Sequence, residues 1–197
     1  AELGLLCQSH LSENLEEVAW VGELFPQARD YTDVYDQAGL LGPRFVVAHG
    51  VHLSDRELQR LAETNTVLAH CPTSNEALSS GRMPLERVRR HGVRWVLATD
   101  VGAGPLLSQW DTIRACLEVH ASEQVEVSAS EAFCRASVIP GAVLAAQDPA
   151  LVGLGTLQRG APAHLVAYSM PTGCDGQSSA EELLRALSGS DRSDLEQ

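Results

Sequence analysis

Cys7-Gln8-Ser9-His10-Leu11-Ser12-Glu13-Asn14 decides how the chain is read. The apolar run Leu3 to Cys7 leads to a histidine at the end of a strand over residues 3–10, and a glutamate follows three residues later. This predicts a short buried strand whose end carries a metal-ligating side chain, with an acid in the next turn. A ligand and a proton carrier are thereby placed side by side. Two later segments have the same form, Phe45-Val46-Val47-Ala48-His49-Gly50 and Trp95-Val96-Leu97-Ala98-Thr99-Asp100.

Helices are expected between these strands. Asn14 and Glu17 suit a capping box, and Leu15, Val18, Val21, Leu24 and Phe25 give a helical stripe to about residue 28. Residues 30–44 read as turn-rich. Ser54 and Glu57 cap the next helix, with Leu53 and Leu58 as its staple. Residues 66–70 form a strand that ends in His70, followed by a long polar loop from Thr73 to Gly81. Pro84 suits the first turn of another helix and Gly92 its end. Ser108 with Asp111, and Ser128 with Glu131, begin two more. Strands alternating with helices indicate parallel βα units. Such units place their chemistry at the C-terminal ends of the strands. Four of them make half of a βα barrel. In the tail, 151–157 and 164–168 read as short strands, and Glu181 to Leu187 as a short helix.

Composition narrows the function. The net charge is −12 and all fourteen basic residues are arginine, which argues against nucleic acid or an anionic membrane as partner. No apolar run approaches the ~20 residues that span a bilayer, and no signal peptide is read at the N-terminus. Cys7, Cys71, Cys116, Cys134 and Cys174 are odd in number and widely spaced, as expected of thiols in a reducing compartment.

Taken singly, His10 and His49 are more often satisfied rim histidines than ligands, and Glu13 is an ordinary acidic residue of a first helical turn. The set is what counts. His10, His49, His70 and Asp100 each close an apolar strand. Imidazole and carboxylate donors suit zinc, with iron as the second choice. Glu13 beside a metal-bound water would act as general acid and base. Ser74 and Asn75 either satisfy their own loop or support the metal's ligands from behind. His52, His91 and His120 read as structural.

HLSEN (10–14), VVAHG (46–50), AHCPTSN (69–75) with SSG (79–81), and ATDVGAG (98–104) together resemble the later strands of the amidohydrolase superfamily. Within it they are most similar to the guanine deaminase family, to which YTDVYD (31–36) also points. The resemblance implies an α/β fold, namely strands five to eight and their helices from a TIM-like (β/α)8 barrel. A partial barrel would cover 1–147, a return into a small β domain 148–170, and a polar tail with a short helix 171–197. It implies zinc as cofactor, held by His10 and Asp100. Glu13 would shuttle the proton, His49 would orient the water, and Asp100 would accept a hydrogen bond from it. His10, Glu13 and Asp100 would touch the substrate, and His70 would only support. The reaction implied is hydrolysis of guanine to xanthine and ammonia, in a cytoplasmic enzyme whose parent is a homodimer.

The family also takes two ligands from a His-x-His pair on its first strand, and this sequence contains none. It lacks an initiator Met as well, so a fragment missing both ends of the family's length is expected, with little or no activity alone. Deamination of another purine or of a pterin is the neighbouring reading. A non-catalytic remnant or interaction module is the distant one.

Overall fold

Four short segments pair side by side, all parallel, in the order in which the chain makes them. They are β1 (Cys7–Leu11), β2 (Phe45–His49), β3 (Val67–His70) and β4 (Trp95–Leu97). The computed structural model describes residues 5–189. A doubly wound sheet would reverse its strand order at a switch point, whereas a barrel adds each strand beside the last. The order here is of the second kind. The register sets His10 opposite Ala48 and Leu11 opposite His49. Every residue of β3 and β4 is buried, as expected for parallel strands covered on both faces. In β1, at the edge, Gln8 and His10 are exposed and Leu11 is buried.

The chain divides into two compact units, Ala1–Leu106 and Leu107–Gln197. The boundary falls inside the stretch read from sequence as one partial barrel, 1–147. The first unit holds the sheet with α1 (Leu15–Leu24), α2 (Tyr31–Gln37), α3 (Asp55–Thr64), α4 (Pro72–Ala77) and α5 (Leu85–His91). Asn14 caps α1 by accepting from the Glu17 amide at 2.9 Å. The return half of that capping box differs from expectation, because the Glu17 carboxylate takes the Glu13 N–H instead, at 2.7 Å. Ser54 and Glu57 form the full box on α3. Gly92 ends α5 in the left-handed conformation, with φ +71°.

Two stretches expected to be irregular are helical. Residues 31–37 form α2, capped by Asp30, and its buried residues are the polar Thr32 and Asp33. Glu57 accepts from both the Thr32 amide and hydroxyl, at 3.3 and 3.1 Å, and Asp36 binds Arg60 at 2.7 Å. These bonds fasten α2 to α3. Residues 72–77 form α4, whose buried face is Pro72, Thr73, Ser74 and Asn75. Both helices bury polar groups, so a hydropathy pattern does not show them.

The second unit contains α6 (Gln109–Ser122), α7 (Ala129–Ala136), α8 (Val138–Ala145), a 3₁₀ turn at Pro149–Leu151, and α9 (Ala180–Gly189). Trp110 of α6 stacks on Phe133 of α7 and meets Tyr168 edge-on. Glu181 of α9 reaches the start of α7, where its carboxylate accepts from the Ala129 and Ser130 amides at 2.8 and 2.9 Å. The strands expected at 151–157 and 164–168 do not form among the described residues. Gly153 and Gly155 turn the chain at φ +85° and +82°, and Leu154 and Thr156 bond back to Leu151 and Gly153. A strand requires a neighbouring strand to pair with, and these runs have none among the described residues. The part of the expected tail from Ser190 onward lies outside the described residues. No helix among those described is long and apolar enough to cross a membrane.

Candidate metal and proton-transfer site

The strand ends converge because the ladder continues past them. Gly50 N–H bonds Leu11 O at 2.9 Å, and the amides of Val51 and His52 both bond Ser12 O, at 3.1 and 3.0 Å. This fixes the turn that carries Glu13 against the turn that carries His49. Gly50 permits the close approach, since a Cβ there would lie 2.5 Å from Leu68 Cδ1 and φ is +58°. Asp100 begins a second tight turn, in which Gly104 N–H bonds Asp100 O at 2.7 Å. A Cβ on Gly104 would lie 2.5 Å from Thr99 O. Ser12, His49 and Asp100 adopt positive φ of 50°, 72° and 52°. Backbone strain of this kind gathers where geometry is imposed by a site.

The ligand atoms of His10, His49 and Asp100 all lie within 4.8 Å of one another. The His10 and His49 rings stack with centroids 5.3 Å apart. His49 Nε2 is 4.0 Å from Asp100 Oδ2, and both atoms are buried without a hydrogen-bond partner among the described residues. Buried polar atoms are costly to leave unpaired, and two aimed at a common space invite a cation. An imidazole and carboxylate set of this kind fits a divalent metal. Ligands from two or three side chains fall short of a closed site.

Around this set the supporting contacts are specific. His49 Nδ1 lies 2.9 Å from the Asn75 side-chain oxygen. With that oxygen as acceptor, Nδ1 carries the proton and Nε2 keeps a lone pair facing the cluster. Glu13 Oε1 is 3.8 Å from His49 Nδ1 and accepts from Ser80 Oγ at 3.1 Å. His52 Nε2 in turn donates to Ser80 O at 2.9 Å. Glu13, His52 and Ser80 face a pocket of about 630 Å³, together with Leu15 and Leu78. Beneath the cluster, burial and the nearby Asp100 and Glu13 carboxylates push the Cys71 thiol up to about 12.

The sequence points to His10, Glu13, His49 and Asp100 as a set, and the structure brings the first, third and fourth within 4.8 Å of one another with Glu13 beside His49. It leaves His70 out of that group, packed edge-on against Trp95. Of the two polar residues weighed as supports, Asn75 reaches His49, whereas Ser74 satisfies its own turn through Cys71 O. The Ser80 contact with Glu13 is not foreseen from sequence. Its only signal was SSG, where Ser79 and Gly81 both take positive φ.

The chain belongs to the amidohydrolase family, whose model matches residues 1–188. Over 130 residues it is 41% identical to the guanine deaminase of Escherichia coli strain K12, a match that covers 66% of this chain and 30% of that protein. The solved structure of the E. coli guanine deaminase superposes with a TM-score of 0.84 and 33% identity, over 94% of this chain and 44% of that one. A guanine deaminase from C. acetobutylicum, solved with guanine in its active site, gives 0.67 and 33% over 78% of this chain and 37% of that one. The sheet and its helices are therefore of the expected TIM-like α/β class. The chain spans less than half the length of these relatives.

Proposed function

We propose that this chain supplies the water-activating and proton-transfer part of a guanine deaminase. The observation that carries the reading is the convergence of His10, His49 and Asp100, with Glu13 beside them. Similarity to guanine deaminases, one of them solved with guanine bound, supports the choice of substrate.

His10 and Asp100 would hold a divalent cation, zinc by the character of their donors. A cation held there would lower the pKa of the attacking water towards neutral. His49, oriented by Asn75, would direct the attacking water through Nε2, and Asp100 would accept a hydrogen bond from it. Glu13 takes the proton from the attacking water and delivers it to the ring nitrogen next to the amino-bearing carbon. The second proton of that water, left on the added hydroxyl, then passes to the amine, and the C–N bond breaks as the carbonyl forms. Water adds and ammonia departs, so guanine becomes xanthine. Ser80 keeps one oxygen of Glu13 engaged throughout.

The family's His-x-His ligand pair is absent from this sequence, so a closed zinc site would need donors beyond His10, His49 and Asp100. The partial-barrel division of 1–147, 148–170 and 171–197 belongs to the same reading. So does a cytoplasmic homodimer, for which five free cysteines suit a reducing compartment.

The test follows xanthine formation by absorbance, with adenosine and a pterin as controls. Full-length protein with zinc should turn over guanine, and this chain alone should give little or none. Robust turnover by this chain alone would show the site to be complete without further ligands. Turnover of adenosine or the pterin in preference to guanine would overturn the substrate.

A further inference from the structure

The motif YTDVYD has no part in the chemistry above, yet its helix reaches both ends of the catalytic turn. We propose that α2 is the bracket of this site, with Tyr35 and Glu17 as positioning residues for His10 and Glu13. The inference rests on the roles given to His10 and Glu13 in the preceding section.

Tyr35 Oη donates to the His10 carbonyl at 2.8 Å and lies 2.7 Å from Ser9 Oγ. One hydroxyl thus serves as donor to the residue that carries the ligand and as acceptor from the residue before it. The Tyr35 ring is itself held, edge-on against Phe45 of β2 at 5.2 Å and tilted on Tyr31 at 5.6 Å. Three residues beyond His10, the Glu13 amide donates to Glu17 Oε2 at 2.7 Å. The other oxygen of that carboxylate, Oε1, accepts from Tyr31 Oη at 3.0 Å. Tyr31 and Tyr35 are one helical turn apart, so they lie on one face of α2. Tyr35 grips the strand end directly, and Tyr31 grips the turn through Glu17.

A bracket must be anchored on its other side. Glu57 holds Thr32 from α3, and Arg60 holds Asp36. Glu57 also caps its own helix through Ser54. The line of force therefore runs from the buried start of α3, through α2, to the two backbone groups that aim His10 and Glu13. Neither Tyr35 nor Glu17 belongs to the His10, His49 and Asp100 donor set. Their action is on angle and distance. A carboxylate that accepts a backbone N–H makes a charge-assisted bond, which is stronger than a neutral one. Misplacement of a proton carrier by a fraction of an ångström is felt in the chemical step more than in binding.

Glu17→Ala removes the clamp, Glu17→Gln keeps an acceptor for the Glu13 amide, and Tyr35→Phe removes the hydroxyl while keeping the packed ring. Each is made in the full-length protein, and three quantities are read: kcat and KM for guanine, the exchange rate of the Glu13 amide, and the melting temperature. Glu17→Ala should raise Glu13 amide exchange about tenfold or more, as expected for loss of a bond to a charged acceptor. Its kcat should fall by about the same factor with KM held. Glu17→Gln should recover most of both. Tyr35→Phe should lower kcat with the melting temperature nearly unchanged. Wild-type kcat in both Glu17→Ala and Tyr35→Phe would overturn the proposal, as would unaltered Glu13 exchange in Glu17→Ala. If the full-length protein forms no xanthine while the amide still responds, the bracket stands and the guanine reading fails.

Discussion

His49 Nδ1 lies 2.9 Å from the side-chain oxygen of Asn75, and both residues are 1% exposed. The contact fixes the ring and its tautomer from behind, as partners of metal-site histidines commonly do. Asn75→Ala should leave Nδ1 buried and unpaired, at a cost of about 1–3 kcal/mol in stability. It should also lower kcat, because Nε2 loses its defined lone pair. Urea unfolding and guanine turnover measured on the same variant check both.

Gly50 sits where backbone and packing both forbid a side chain. Gly50→Ala brings a Cβ to 2.5 Å from buried Leu68 at φ +58°, and should destabilise by roughly 1–3 kcal/mol. Gly39→Ala is the control, because its φ is +67° but nothing lies within 4 Å. The difference between their urea midpoints isolates the clash. Equal midpoints would mean that the β2 turn yields without cost.

Two cysteines should differ sharply in reactivity. Burial raises the Cys71 thiol to about 12, whereas Cys134 is exposed. The thiolate is the reactive form. In the folded protein at mild alkaline pH, iodoacetamide should label Cys134 first and leave Cys71 unmodified until unfolding. Mass spectrometry of the peptides reads this directly.

Glu181 gives a pH dependence whose sign follows from its partners. The Ser130 hydroxyl and the Ala129 and Ser130 amides hold its carboxyl at about 2, below the ordinary value of 4.5. A depressed folded value contributes stability that is present above about 4.5 and lost as pH falls towards about 2. Wild type should therefore melt above Glu181→Gln at pH 6, and the gap should close between these limits. A gap that is constant with pH would assign the effect to packing instead.

The barrel strands could be read from sequence because each is a continuous apolar run between turn signals, and because a polar strand end was repeated four times. The helices α2 and α4 could not. Thr32, Asp33, Ser74 and Asn75 are buried for their hydrogen bonds, and hydropathy scores them as surface. Asp30 ahead of Tyr31 was the one local sign of α2, since it caps the helix. The tail departs from its sequence pattern for the opposite reason. The 151–157 and 164–168 runs have strand composition, but nothing within a sequence window says whether a partner strand exists. The supports of the site, Ser80 on Glu13 and Tyr35 on His10, join residues 67 and 25 positions apart. Spacing carries no trace of such pairs until the fold closes them.

In the proposed reaction Glu13 would carry the proton in hydrolysis of guanine at the His10, His49 and Asp100 cluster. Xanthine formation by the full-length protein with zinc, wild type against Glu13→Gln, tests it most directly. The wild type should turn over guanine readily and the variant should lose about 10²-fold or more in kcat, with the fold intact by circular dichroism. Glu13→Gln turning over guanine at the wild-type rate would contradict it.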